Sequence, residues 1–481
     1  MADVDILGSY LDPLNQDIGS GKLINVRPVL RQAAEQKPGK ARLLGTPGLT
    51  VVCAPTGAAC VVLCHALNSV WSGHADGSIF YDVHTATPKS AGKVQVNPVA
   101  PIIRMAEDRT ALAIAANFDT SGKGGNGAGY TATQSAGVVN ANFADSDNIE
   151  FDPWSVCELD NMTVWAGASN VFANQSSKMY NSIPLAPANV PANNFDTKEA
   201  RADPVLDVMT TGRYFWPFGS RSIEQFYDSG SGSDFPFVPF TNSLIEVGLA
   251  VRLSLASLHG RLIWIGTDKR IWLGSGQSGQ PVSPAWINLL LQQLSVADFA
   301  SLTGYAYSQG GDDFYTLTLP GKWSIEGALS TNFWSYRKSP GRPDHAGRCA
   351  VEHDSGVTYV GLDTGQICYV DLTSASEPAG LIERTMITPW IGNQETYETI
   401  NRVDITSGMG PGAGTFQLDW SKDGLQTFKG VRQITFPEVG ARRAIARGLG
   451  SERRRQLRFQ YSGNAAPFYF DEIFVDKAAG T

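Results

Sequence analysis

A short phrase recurs along this chain: an apolar run, a small residue or glycine, a few polar positions, then a second apolar run. It reads Val70-Trp71-Ser72-Gly73 before Ser78-Ile79-Phe80-Tyr81, and Val164-Trp165-Ala166-Gly167 before Val171-Phe172. It returns at Trp216-Pro217-Phe218-Gly219, at Ile263-Trp264-Ile265-Gly266 and at Thr358-Tyr359-Val360-Gly361. Looser copies at 113–116 and 314–317 fill the gaps, so successive anchors fall 43 to 52 residues apart. Each copy reads as a hairpin, in which alternation half-buries every second side chain and Gly, Asp or Ser supplies the turn. One hairpin cannot bury its apolar face alone, whereas radially stacked four-stranded sheets can, and this spacing is that of a β-propeller blade. The expected fold is therefore all-β: a six- or seven-bladed β-propeller over residues 50–384, an N-terminal arm over 1–49 and a C-terminal β-sandwich over 385–481. Trp71, Trp165, Trp264 and Trp272 are expected to be mostly buried. The competing reading is an irregular multi-sheet β-protein.

Composition agrees with a loop-rich β-chain. Fifty glycines, 26 prolines and 10% aromatic residues suit many turns and strands. Charged residues make up 17%, below the usual share of about 25%, while 42% are hydrophobic, which argues against disorder and for a surface partly covered in an assembly. A formal net charge of -8 gives no global nucleic-acid signature. Six cysteines (Cys53, Cys60, Cys64, Cys157, Cys349, Cys368) lie in apolar, strand-like surroundings and read as core residues. Cys60 and Cys64 beside His65 lack the second ligand pair of a zinc site, so no metal and no cofactor is expected. The uncharged stretch 50–67 approaches spanning length, but Pro55-Thr56-Gly57 splits it into two strands, and no membrane insertion or secretory signal is expected.

Helices are expected in two places. One is a polar piece near 29–36; the other is 283–302, with Ser283 as N-cap, an apolar stripe of Ile287, Leu290, Leu291 and Leu294, and a second cap at Ser295 with Asp298 three residues on. The loop at 122–129 lacks the order of a phosphate-binding glycine loop.

Between 441 and 458 lie seven arginines (Arg442, Arg443, Arg447, Arg453, Arg454, Arg455 and Arg458) against one acid, Glu452, a local +6 that leaves -14 on the rest. Three readings stand: a solvated loop, a subunit or adaptor interface, or a DNA contact. The interface reading has the arginines gripping carboxylates and stacking on Phe459 or Tyr461. No catalytic residue is expected, and the chain is read as not an enzyme. Asp312-Asp313 follows Gly310-Gly311 in a plain turn, and the segment 421–428, similar to the Asp-box of sialidases, lies outside the repeats.

The order Pro281-Val282-Ser283-Pro284-Ala285, a short helix, then 306–320 with Gly310-Gly311-Asp312-Asp313-Phe314-Tyr315 resembles the central signature of phage packaged-DNA stabilisation proteins, the tail hub or nozzle proteins of short-tailed phages. Trp323, Trp334-Ser335, Arg348 and 365–369 continue it; 218–227, Ile24-Asn25-Val26-Arg27-Pro28 and 45–49 precede it in the same order. The resemblance implies a structural protein of the virion, in the phage tail, assembled in the host cytoplasm. It implies a homo-hexamer below the portal-adaptor ring, with a DNA exit conduit on its axis, helping to retain the packaged genome. Its partners would be tail needle, spike or fibre proteins and passing genomic DNA bound without sequence preference. The alternative is a propeller-based carbohydrate-binding or glycoside-hydrolysing protein.

Overall fold

The computed structural model describes residues 21–30, 41–117, 128–140, 151–169, 178–198, 200–201, 203–241, 243–392, 395–409, 414–423, 427–436 and 443–479. The chain is a β-propeller followed by a β-sandwich. Seven four-stranded meanders follow one another over 60–93, 103–140, 151–197, 205–239, 256–281, 303–337 and 347–371. The last has only three strands of its own. Its fourth is supplied from the other end of the propeller, where Gly48–Cys53 pairs antiparallel with Ile367–Asp371. The first strand of each meander packs against the first strand of the next, and that of the seventh returns to Cys60–Ala66, so the inner strands close a ring.

The repeated phrase is the second and third strand of a meander, except that Val171-Phe172 of its second copy lie outside the described residues, and there is one difference from expectation. The second strands Ser69–His74, Leu112–Ala116 and Thr358–Leu362 are buried at every position rather than at every other one. Neighbouring sheets cover both faces, and strands so enclosed are apolar throughout rather than alternating. Trp71, Trp165 and Trp264 are fully buried, as is Trp216. Trp264 lies 6.3 Å from Trp216 and 5.4 Å from Phe218 between rings, across adjacent sheets. Trp272 is only half-buried, since its Nε1 donates to the partly exposed Asp268 at 3.0 Å.

Inside the ring a cavity of about 570 Å³ is lined by inner-strand residues such as Val62, Arg104, Ala256 and Ala350. Helix α1 (Ala285–Gln292) packs Ile287 and Leu291 into the core between the fifth and sixth meanders. Helix α2 (Val296–Ala300) lies over the cavity, where Ala297 and Ala300 join its lining. The N-cap of α1 is Pro284; Ser283 instead accepts from Ile271 N at 3.0 Å and donates to Asn288 Oδ1 at 2.6 Å, which ties the helix to the fifth sheet. Ser295 caps α2 by accepting from Asp298 N at 3.1 Å.

Residues 22–30 and 41–45, expected as part of an arm, are woven into the sandwich. Strand β1 (Lys22–Ile24) runs parallel to Phe333–Arg337 of the sixth meander and antiparallel to Arg384–Ile387, which makes one ten-stranded sheet of meander and sandwich. Strands β2 (Val26–Leu30) and β3 (Ala41–Gly45) join Phe468–Ala479, Glu398–Met409 and Arg443–Arg447 in the opposite sheet. The expected helix near 29–36 thus begins as strand at Val29 and Leu30, and its remainder lies outside the described residues, as does the loop 122–127.

A buried polar network fixes this weave. Tyr307 Oη donates to Glu326 Oε2 at 2.8 Å, Arg337 donates to both, and Arg27 Nη1 from β2 lies 3.8 Å from Glu326 Oε1. Burial opposes ionisation of Glu326, but Arg337 and Arg27 outweigh it and hold the carboxyl below the usual range.

Candidate interface on the C-terminal sandwich

The two sheets of the sandwich enclose a core that includes Val403, Phe416, Leu457, Phe459, Tyr461 and Phe468. On one side both sheets end together: Lys429–Phe436 is the last strand of one and Arg443–Arg447 the last strand of the other, and they lie side by side. Along Arg443–Arg447 the burial alternates strictly, with Ala444 and Ala446 inward and Arg443, Ile445 and Arg447 exposed. Small residues inside and long cations outside are what a strand needs when one face packs on a core and the other meets water. Lys429, Val431, Arg432 and Gln433 on the adjacent edge strand are exposed too. Such an edge offers ladder groups to another chain, and lysine or arginine along it discourages promiscuous pairing while favouring an acidic partner.

The seven arginines expected to act together have different fates. Arg442 lies outside the described residues. Arg443 pairs with Asp404 at 2.5 Å and stays accessible, and Arg447 is exposed. Arg453 is exposed with its guanidinium 5.3 Å from the Tyr397 ring, and Arg454 is half-buried, 4.3 Å from Trp390. Arg455 is 1% exposed, and its guanidinium donates to the carbonyls of Leu449 at 2.6 Å, Gly450 at 2.9 Å and Glu398 at 3.2 Å. It holds the turn that leads out of the edge strand and does not reach a partner. Arg458 grips Asp419 with two nitrogens, at 2.9 and 2.6 Å, and lies 3.9 Å from the Phe428 ring. The expected stacking on Phe459 or Tyr461 does not occur: both rings are buried in the sandwich core, and Arg453, Arg454 and Arg458 lie against other rings. Alternation of Arg443, Ile445 and Arg447 was visible in the sequence; the aromatic partners Tyr397, Trp390 and Phe428 are distant in sequence or lie across a turn and carried no signal.

The residues weighed for catalysis have structural partners. Asp313 binds His259 Nδ1 at 2.9 Å, Asp312 accepts from Ser330 Oγ at 2.6 Å, and glycines 310 and 311 take positive φ in the turn before them. In the segment similar to an Asp-box, Asp423 accepts from Ser421 Oγ at 2.6 Å and Thr427 N at 2.9 Å across the hairpin. All six cysteines are free thiols, five of them buried; Cys60 and Cys349 face each other at 3.5 Å between sulfurs. Among the described residues no group of three or more His, Cys, Asp or Glu is placed to hold a metal, and no helix is long and apolar enough to cross a membrane.

A family model described as "Bacteriophage P22 Gp10, beta-propeller" matches residues 79–375, more than half of the chain. The chain belongs to that family. It is accordingly a phage structural protein built on a propeller, with its place in the phage particle. The match runs from the third strand of the first meander to just beyond the last strand of the seventh, so the basic edge lies outside it. No curated protein matches the chain. Among solved structures, YCF48 from Cyanidioschyzon merolae is 10% identical, with 67% of this chain and 98% of that one covered and a TM-score of 0.41. A streptogramin B lyase structure is 9% identical over 72% and 97%, with a TM-score of 0.38. The WD40 propeller domain of Doa1 is 11% identical over 67% and 96%, with a TM-score of 0.35. At such scores no activity or partner is carried from any of them.

Proposed function

We propose that this phage structural protein is the subunit of a tail hub or nozzle, a homo-hexameric ring below the portal-adaptor through which DNA leaves and on which needle, spike or fibre proteins are anchored. It has no catalytic role in this reading. Family membership supports a virion role, and the observation that carries the ring is the open, basic sandwich edge on an otherwise acidic subunit. Exposed Arg443, Arg447 and Arg453 beside two strands that end their sheets among the described residues suit a neighbour that brings carboxylates and backbone, either another copy or the adaptor. The propeller's own central hole does not serve as the conduit: at about 570 Å³, largely apolar and overlain by α2, it is the size of a small-molecule site. A channel for duplex DNA is then built between copies. A subunit whose charge is negative outside the basic segment suits a wall that does not hold phosphate.

The test is assembly of an Arg447→Glu/Arg453→Glu variant onto a portal-adaptor complex, seen by negative-stain microscopy. The variant should fold normally and fail to form or dock the ring. Normal assembly with altered genome retention or ejection would place these arginines on the DNA path instead. A wild-type chain that stays monomeric, ignores the adaptor and binds glycans would favour the carbohydrate-binding alternative.

A further inference from the structure

Cys60 and Cys349 lie 289 positions apart in the chain and meet across the seam at which the propeller closes. Cys60 opens Cys60–Ala66, the inner strand of the first meander, and Cys349 sits in Gly347–Glu352, the inner strand of the seventh; these two strands pack against each other. The sulfurs are 3.5 Å apart, so about 1.5 Å separates them from a disulfide bond, a distance within the swing of a side-chain rotation. Both thiols are otherwise lightly held: Cys349 Sγ faces Cys60 O at 3.7 Å and Cys60 Sγ faces Val62 O at 3.5 Å, long contacts for weak donors. On the second strand of the seventh meander stands Gly361, where a Cβ would collide with both sulfurs, so the glycine of the repeated phrase leaves the room in which the pair sits.

The two cysteines are not alike. Both belong to the wall of the cavity inside the ring, but Cys349 keeps 9% of its surface open whereas Cys60 is wholly enclosed. A small oxidant in the cavity therefore meets Cys349 first. Burial, with Cys349 beside it, pushes the Cys60 thiol well above its usual range, which leaves Cys60 to react second, once the neighbouring sulfur has become an electrophile.

We propose that Cys60 and Cys349 are a redox-active dithiol that hydrogen peroxide converts into a disulfide, joining the first meander covalently to the seventh. Peroxide oxidises the Cys349 thiol to a sulfenic acid and leaves as one water. The Cys60 sulfur then attacks that sulfur, its proton departs with the hydroxide as a second water, and the S–S bond forms. Two thiols lose two electrons and two protons, and the peroxide O–O bond is reduced. The seam is otherwise joined by the pairing of Gly48–Cys53 with Ile367–Asp371, so the bond would add a covalent closure to a hydrogen-bonded one. A phage particle that leaves a cell also leaves the thiol buffer that keeps such a pair reduced.

The full chain, purified under dithiothreitol and freed of it, is treated with hydrogen peroxide, denatured in an alkylating agent and mapped by mass spectrometry without reduction. A peptide pair linked through Cys60 and Cys349 is expected, together with a rise in melting temperature that dithiothreitol reverses, because the link constrains the unfolded chain. Alkylation of both thiols as in the untreated protein, or linkage of either one to Cys53 or Cys368 instead, would overturn the proposal. Cys60→Ala removes the second sulfur, and its Cys349 should then collect oxygen as a sulfinic acid with no reversible rise in melting temperature. An unoxidised Cys349 in that variant would overturn the order of attack. If Cys60→Ala does not fold, the wild-type peptide map decides alone.

Discussion

Tyr307 and Glu326, on neighbouring but not adjacent strands of the sixth meander, share a 2.8 Å hydrogen bond with Thr316 lying between them on the intervening strand. The same carboxylate faces Arg337 and, from β2, Arg27, so one buried anion answers two cations from different parts of the chain. Removing a charge from such a set leaves the others uncompensated, which is costlier than never having buried them. Glu326→Ala should therefore lose about 3–5 kcal/mol of stability. Tyr307→Phe, which deletes the hydroxyl that donates to Glu326 and accepts from Arg337, should lose about 1.5–3 kcal/mol, less than Glu326→Ala because no charge is left unpaired. Urea unfolding of both single variants and of the double checks this, and additive losses would show that the two residues do not act as a unit.

His345 sets a second expectation. It is fully buried, with Nδ1 3.1 Å from Ser339 Oγ, and burial together with Arg337, Arg348 and Arg342 holds its pKa well below 6.5. The unfolded imidazole takes up a proton near 6.5 and the folded one does not, so its contribution is lost as pH falls below that value. His74 and His84 are also lowered and act with the same sign, whereas Glu377, raised by burial, and His259, raised by its bond to Asp313, act with the opposite one. Melting temperature from pH 7.5 to 5.5 should fall more steeply in the wild type than in His345→Gln. Parallel curves would show that folding does not shift the protonation of His345, and a shallower fall in the wild type that the folded protein favours the protonated imidazole.

The arginines of the sandwich edge give a third. Arg455→Ala strips three carbonyls of their donor inside the protein and should cost about 2–4 kcal/mol, whereas Arg453→Glu at the surface should stay within about 0.5 kcal/mol. Chemical denaturation of each variant separates them, and equal losses would mean that the exposed arginine also carries the fold. The contrast governs any charge-reversal experiment here, since a variant that includes Arg455 would confuse a lost interface with a lost fold.

The meanders were legible in the sequence because a hairpin's two strands are close along the chain and its turn residues announce themselves. Anchors at Trp71, Trp165, Trp216 and Trp264 mark second strands because only the most enclosed positions accommodate an indole fully. Pairings over long separations were not legible. Nothing in Lys22-Leu23-Ile24 tells that its neighbours are Tyr336 and Met386, since alternation identifies a strand but not its partner. The cap at Ser283 was misplaced for a related reason: its hydroxyl serves Ile271, on another element. At the basic edge, charge density along the chain was readable, but which arginines point outward depended on a strand register and a turn at 448–450 that bring Arg455 inside while Arg453 stays out.

The route of the earliest strands also bears on the order of events at the ribosome. Strands β1 to β3 have no complete set of neighbours until residues 336, 387 and 470 exist, and Gly48–Cys53 waits for Ile367–Asp371. The ring of meanders accordingly stays open until residues 367–371 have been made, and shuts only when its first strand is captured by its last hairpin. Contacts of such sequence separation form slowly. Propeller and sandwich are therefore fastened in the same late stage of folding.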